Sequence, residues 1–565
     1  MSEVLQLLSD VPPLRDLSTA ELENLIRSSD VRIASPEGVV VRKGRSWPRI
    51  GIVLAGELEV VATDDGDSRS RVSLLEPGDM FGQPPSGKQS ASEVEVLAVT
   101  ESVYLMIPWY TWEEMIGSRD GSSEALASVC VTLDAPDRTR GRAQARAAAG
   151  ADRYGLGLSS SRPAKILVIN CGSSSLKYNF YDTHDRSNDR EGIVERIGIE
   201  GGRLVHRPGD GTKVIRELGR INHDVAFEAV VEVLTDSEMG VIRDLSDITG
   251  VGHRVVHGGS KYSDPVVIDD DVVSEIERLC SLAPLHNPHN LAAIRKSMAL
   301  MPQVPQVAVF DTGFHQRMPA HAYMYALPYS FYEQQGIRRY GFHGISHNYL
   351  ALRAASCLER DVADLRIITC HLGNGSSVSA VDRGRSVDTS MGLTPLEGLV
   401  MGTRSGDIDP GAMLHMARTN DMGFEELDSL LNRKSGVLGL SGISNDFREI
   451  EDGARQGNRL ALLALHVFCH RLRKYIGAYI AVMGGLDVMV FSAGIGERSP
   501  WVRSLTCQGL SELGIELEDR VNRYGYAGGD EVIDLSSKKS RVKVLAMQTD
   551  EGRMIARETI RALDR

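Results

Sequence analysis

The spacing of apolar and polar positions divides the chain into three textures. Leu14–Ile26 (LRDLSTAELENLI) has apolar residues at helical intervals, with Ser18 placed as N-cap and Glu21 three positions on to close a capping box. From Gly38 to Ile107, short alternating runs (GVVVRKG, IGIVLAGELEVVATDDGD, VSLLEPGDMFGQ, VEVLAVTESVYLMIP) are cut by Gly-rich turns. That rhythm predicts a small antiparallel barrel or jelly roll with flanking helices, the closing one opening at Trp109–Ile116. Beyond Pro163 the apolar runs lengthen into buried strands that break at Gly/Ser turns. Two of them, Ile166–Asp182 (ILVINCGSSSLKYNFYD) and Ile367–Asp382, share one construction: apolar strand, polar residue, Gly/Ser turn, second strand, terminal Asp. Both read as β-hairpins, and their likeness some 200 residues apart predicts an internal duplication.

Between the barrel and the first hairpin lies a connector, residues 119–163. Its Thr139–Ala149 stretch (TRGRAQARAAA) suits a helix, and GLGLSSSRP suits a flexible linker. Arg138, Arg140, Arg142 and Arg146 look like a nucleic-acid tract but read better as a solvated linker helix or a dock for acidic domains. The expected organisation is therefore 1–118, 119–163 and 164–565, the last with one lobe near 164–315 plus the C-terminal helix and a second near 316–548.

At 565 residues more than one domain is expected. A net charge of −13 argues against nucleic acid or anionic membrane as the main partner. No apolar run approaches the ~20 residues of a membrane span, and the acidic N-terminus lacks a signal-peptide pattern, so a cytoplasmic location is expected. The seven scattered cysteines read as reduced thiols.

The turn LGNGSS (372–377) supplies backbone N–H groups, hydroxyls and the Asn374 amide, with Gly373 and Gly375 leaving room for an anion. Two such turns predict an α/β fold of two related lobes with nucleotide between them, as in the actin/Hsp70/sugar-kinase class, and no Walker A sequence is present. Other segments carry groups suited to phosphoryl transfer: Arg254 in VGHRVVHGG, Asp311 ending the apolar strand of VFDTGFH, His343 and His347 in RRYGFHGISH, and Arg404 between glycines in GTRSGD. LAPLHNPHN (282–290) is a Pro/Asn loop, and VMVFSAGIGER (488–498) reads as a buried strand ending in a Gly-rich turn. The pairs His286/His289 and His343/His347 invite a zinc reading but lack an H-E-x-x-H glutamate or thiolates.

Two resemblances follow. Ile52–Val60 (IVLAGELEV) and Leu75–Gly82 (LEPGDMFG) resemble the cyclic-nucleotide-binding (CRP-like) domain. Gln83 stands where that family has its ribose-binding Glu, and the loop beyond offers Lys88 in place of an Arg, which argues against cAMP. The barrel then serves packing or oligomerisation, or takes another small ligand. The ordered set of segments from Lys165 onward resembles the acetate kinase family. That resemblance implies ATP-dependent phosphorylation of acetate to acetyl phosphate, Mg²⁺ (or Mn²⁺) with ATP/ADP, and a homodimer through the kinase part. It implies catalytic roles for Arg254, Asp311, His343 and Arg404, and an acceptor pocket of Arg254, Val256, Leu285, Phe342 and Pro395. Nucleotide contacts would come from Ser173, Ser175, Lys177, His371, Leu372, Gly373, Asn374, Gly375, Asp446, Phe447, Arg448, Gly494, Ile495, Gly496, Glu497 and Arg498, and metal ligation through Asn170 and Glu551. Two departures stand out: Gly552 where the family more often has Glu, and Arg498 where it usually has Asn. The competing readings are a ligand sensor with a degenerate kinase lobe and a propionate-preferring kinase.

Overall fold

The computed structural model describes residues 2–11, 14, 17–36, 38–43, 49–63, 69–82, 94–108, 111–112, 130–132, 154, 156–158, 163–208, 212–237, 239–284, 286–524 and 532–564. The chain divides into two compact units, 1–150 and 151–565.

In the first unit, helices Ser2–Asp10 and Thr19–Arg27 precede the strands. The second begins at the expected box: Ser18 N–H donates to Glu21 Oε2 at 2.7 Å, and Glu21 N–H returns to Ser18 Oγ at 3.4 Å. Among the described residues, nine short strands form a five-stranded and a four-stranded sheet. Leu8, Leu14 and Leu25 of the helical segment bury against Ile50, Ile52, Leu105 and Ile107, while Val53, Leu58, Val60, Phe81 and Val96 fill a second core. Gly51 lies under the Phe81 ring, where a Cβ would sit 2.1 Å from the ring carbon Cζ. Gln83, Lys88, the four connector arginines and most of Trp109–Ile116 lie outside the described residues.

The second unit contains two sheets of matching order. The first runs, in space, Val214–Gly219, Gly202–Arg207, Arg190–Glu195, Ser175–Asp182, Lys165–Cys171, Gly250–Val255, Gln306–Phe310, Val266–Val267. The second runs Arg385–Thr389, Ser376–Asp382, Arg366–Leu372, Val488–Ser492, Lys543–Ala546, Ile533–Asp534. Each centres on an antiparallel hairpin whose first strand pairs in parallel with the next, then the next again, before an antiparallel edge strand. The central strands are apolar throughout because both faces are covered; Val488–Ser492 is buried at every position. The duplication read from two hairpins therefore extends to six strands of each sheet.

The C-terminal helix Glu551–Leu563 crosses back to the first sheet. It lies so close to Gly250–Val255 that a Cβ on Gly252 would meet Thr559 Oγ1 at 2.3 Å, and one on Gly250 would meet Leu563 Cδ1 at 2.6 Å. The connector expectation needs one correction. Leu156 and Leu158, read there as part of a flexible linker, are buried beside Ala164, Tyr349 and Leu352, and Arg557 Nε donates to the Tyr154 carbonyl at 2.7 Å. Two leucines at alternate positions outweigh the Gly/Ser composition around them.

Candidate active site

Parallel strands Gly250–Val255 and Gln306–Phe310 run side by side with Val255 opposite Phe310, so Arg254 and Asp311 emerge together at their C-terminal ends. Arg254 Nη2 donates to Asp311 Oδ2 at 2.8 Å. The same oxygen accepts the His343 backbone N–H at 3.0 Å, and the Asp311 carbonyl accepts from Gly344 N–H at 2.9 Å. Asp311 thus fixes the loop before helix Gly344–Cys357, which His343 opens with φ at 56°. Asp311 Oδ1 and Arg254 Nε are buried with no partner among the described residues, leaving a carboxylate oxygen and a guanidinium N–H unused by the fold. Burial opposes the charge on Arg254, but Asp311 and Glu551 more than offset it and raise its pKa.

The second hairpin turn meets this pair from the other lobe. Gly373 N–H donates to Gly375 O at 3.3 Å, and Ser376 Oγ donates to Gly373 O at 2.8 Å. The Arg404 loop is tied to it by Gly402 N–H donating to Asn374 O at 2.9 Å. An ideal Cβ on Gly375 would lie 3.4 Å from Arg404 Nη1 and 3.8 Å from His343 Nε2. Gly375 therefore marks a space that a guanidinium and an imidazole both face. Arg404 donates weakly to Pro395 O at 3.4 Å, and among the described residues no carboxylate pairs with it. Burial lowers the Arg404 pKa from its ordinary value. Arg254, by contrast, is ion-paired in the fold.

Beside these charges sits a small apolar cluster of Val256, Phe342, Met391 and Met401, all buried. Val256 and Phe342 were expected there; the two methionines were not. Leu285 lies outside the described residues. Its neighbour His286 is held neutral, its pKa lowered to about 4 by burial and then by Arg254 and Arg404. The Pro/Asn loop locks the strand end: Asn290 Oδ1 accepts Val256 N–H at 3.1 Å while its Nδ2 donates to Cys171 O at 2.7 Å, and Asn287 brackets His257 through both backbone groups.

A cavity of about 1000 Å³ opens between the first hairpin and the start of the C-terminal helix, lined by Asn170, Lys177, His371, Thr549 and Glu551 among others. The His371 ring stacks on His343 with centroids 4.3 Å apart, joining this cavity to the Gly375 space. Ser173 and Ser175 belong to the first turn, where Gly172 N–H donates to Ser175 O at 2.8 Å. Asn445 Nδ2 donates to Asn374 Oδ1 at 3.1 Å and so brings Asp446–Arg448 next to the second turn. Within that segment Asp446 and Arg448 pair on the surface, whereas the Phe447 ring is turned into the core against Phe468 at 4.7 Å. Leu372 and Ile495 are likewise core residues. Gly494–Arg498, expected as a turn, is instead part of a short helix, Ala493–Arg498, with Gly494 and Arg498 exposed and Gly496 and Glu497 buried. Ala493 takes φ 60° straight after the strand, a sharp change of direction from which the helical residues follow. At Gly552 a Cβ would meet Asn179 Oδ1 at 2.5 Å and Tyr181 OH at 2.8 Å, so any side chain there must displace the ends of those two residues of the first hairpin.

The Acetokinase family model matches residues 165–557. The chain belongs to the acetokinase family. The family assignment covers the second unit; a Cyclic nucleotide-binding domain model matches residues 31–119 of the first. Acetate kinase of Dictyoglomus turgidum is 50% identical over 399 residues, 71% of this chain and 98% of that protein. Acetate kinase of Natranaerobius thermophilus is 52% identical over 394 residues, 70% and 98% respectively. Among solved structures, Porphyromonas gingivalis acetate kinase aligns with TM-score 0.67 at 44% identity, covering 71% of this chain and all of that one. A propionate kinase from Francisella tularensis aligns with TM-score 0.65 at 38% identity, covering 70% and 99%. Acetokinase-family membership makes the second unit a phosphotransferase of the two-lobed α/β kind. No helix among the described residues is long and apolar enough to cross a membrane.

Proposed function

We propose that the second unit catalyses reversible transfer of the γ-phosphoryl group of ATP to acetate. A carboxylate oxygen of acetate forms a bond to phosphorus as the bond to the ADP oxygen breaks. Acetate is already ionised at pH 7, so no base is needed; the task is to bring two anions together. The observation that carries this reading is the convergence on Gly375 of Arg404 and His343, beside the Arg254–Asp311 pair and a small apolar cluster. Arg254 and Arg404 neutralise carboxylate and phosphoryl oxygens, and His343 donates from Nε2. Asp311 orients Arg254 and the His343 backbone. Val256, Phe342, Met391 and Met401, with Pro395, enclose the methyl group, which favours acetate over propionate.

Lys177 and the two hairpin turns grip the nucleotide phosphates, with Gly494–Arg498 and Asp446–Arg448 toward the adenosine. A hard cation fits the oxygen donors of Asn170 and Glu551, which face one polar cavity roomy enough for the ion to keep several waters. Mg²⁺ would be held by those two residues and supplies charge neutralisation at the phosphates. The first unit acts as a regulatory or assembly module, and the kinase unit forms a homodimer.

Hydroxamate formation from acetate, ATP, Mg²⁺ and hydroxylamine tests the activity, with Arg404→Ala as control; no product from the wild-type chain overturns it. Comparable kcat/KM for butyrate and acetate would overturn the acceptor assignment. A chain lacking residues 1–150 with unchanged kinetics, ligand response and mass would overturn the module role, and a monomeric mass in light scattering the dimer.

A further inference from the structure

Behind His343 runs a line of buried hydrogen bonds that the transfer chemistry above does not use. His343 Nδ1 lies 2.8 Å from Ser377 Oγ, and that same oxygen lies 2.8 Å from His347 Nε2. His347 Nδ1 in turn lies 2.7 Å from Thr369 Oγ1. Ser377, His347 and Thr369 are all fully buried. Their placement follows from the fold: His343 and His347 are one helical turn apart, and Thr369 and Ser377 belong to the paired strands of the second hairpin.

Counting protons gives the line a direction. Burial, with His371, Arg254, Arg404 and His315 nearby, holds the His343 pKa well below its ordinary value. Burial, with His315, His371 and His343, does the same for His347. Both rings are therefore neutral at pH 7, and each carries one N–H. Ser377 has one hydroxyl proton for two ring nitrogens, so it donates to one and accepts from the other. If it donates to His343 Nδ1, it accepts from His347 Nε2–H, and His347 Nδ1 then accepts the Thr369 hydroxyl proton. Every proton along the line then has an acceptor, and the one outside it, on His343 Nε2, faces the open space beside Gly375. In the reverse arrangement His347 Nδ1–H donates to Thr369 Oγ1, and the Thr369 proton is buried with no acceptor among the described residues. An unsatisfied buried donor is disfavoured, so the first direction wins.

We propose that Ser377, His347 and Thr369 are positioning residues that hold His343 as its Nε2–H tautomer, so that one N–H donor faces the space between Gly375 and Arg404. The proposal rests on the transfer role given to His343 above. His371 stands apart from the line: its Nδ1 meets Ser346 Oγ, which also meets Thr549 Oγ1. The stack of His371 on His343 sets the plane of the ring, and the Ser377 line sets which nitrogen carries the proton.

The test is a ¹H–¹⁵N spectrum of histidine-labelled full-length protein at pH 7.5, with His343→Asn and His347→Gln to assign the rings. The expected result is the Nε2–H form for both His343 and His347. Ser377→Ala should move the His343 Nδ1 resonance toward that of an unbonded nitrogen and lower kcat about tenfold, less than the ~10²–10³ of losing a donor outright, with both KM values held within about twofold. Ser377→Thr, which keeps the hydroxyl, should restore both readings. Thr369→Val should move the His347 Nδ1 resonance and lower kcat by a smaller factor. An Nδ1–H form of His343 in the wild-type chain overturns the proposal even if no variant folds. A Ser377→Ala resonance that moves while kcat stays at the wild-type value overturns the transfer role of His343 instead.

Discussion

Alanine at position 375 separates the reaction space from the fold around it. Gly375 does not take a positive φ, so its backbone accepts a side chain. The added Cβ would lie 3.4 Å from Arg404 Nη1, 3.7 Å from His343 Cε1 and 3.8 Å from His343 Nε2, contacts that need at most a few tenths of an ångström of adjustment. The protein should therefore fold with Gly375→Ala, and the loss of unfolded-chain freedom is worth about 0.4–1 kcal/mol in its favour. The methyl group nonetheless occupies the position that both cationic and neutral donors face. A phosphoryl oxygen displaced from it loses at least one of them, and loss of one preorganised donor costs about 10²–10³ in rate, or ~2.7–4 kcal/mol. Gly402→Ala is the contrasting case: its Cβ would fall 1.7 Å from Asn374 Oδ1, so it should displace Asn374 and lower the melting temperature. Hydroxamate kinetics and thermal melts on both variants decide the matter. Wild-type turnover by a well-folded Gly375→Ala chain would refute the assignment of this space to the transferred group.

Gly552→Glu, the residue more usual in the family, should destabilise by about 1–3 kcal/mol through overpacking on Asn179 and Tyr181, seen in urea unfolding, and Asn179→Ala in the same chain should relieve it. Arg339 donates to the carbonyls of Thr389, Ser390 and Met391 and pairs with Glu397 at 2.6 Å; Arg339→Met should cost about 3–5 kcal/mol in urea unfolding and loosen the Met391 side of the acceptor cluster. Val256→Ala opens the same cluster, and the kcat/KM ratio of propionate to acetate should rise about tenfold or more. Burial lowers the pKa of His206, His253, His257, His286 and His315 to about 4. Their folded values lie below the unfolded ~6.5, so the unfolded chain binds more protons as pH falls through that window. Stability should drop between pH 6.5 and 4, measured by urea melts at stepped pH; a flat or rising profile would refute it.

Much of this site could be read from local pattern. Arg254 and Asp311 sit at the ends of apolar runs, Arg404 is flanked by glycines, and the two hairpins announce themselves by composition. What escaped was whatever depends on distant residues meeting. Met391 and Met401 carry no sign of their role until Val256, more than a hundred positions earlier, is folded against them. Phe447 sits in a segment that borders the second turn, but which way its ring points is decided by Phe468 on the facing helix. Ser377 and Thr369 look like ordinary strand residues, since hydroxyls alternate along any half-polar strand. Gly552 appeared as a defect when compared with relatives and becomes a fit once Asn179 is placed beside it.

The way Glu551–Leu563 closes over Gly250 and Gly252 also governs when the enzyme can come into being. The strands it covers leave the ribosome about 300 residues ahead of the helix. During synthesis the first sheet waits with one apolar face bare while the whole second sheet is made and folded. A nascent chain stalled before Glu551–Leu563 emerges would have both hairpins and no cover for the sheet carrying Arg254 and Asp311. Emergence of Glu551–Leu563 is the event that closes that face of the sheet.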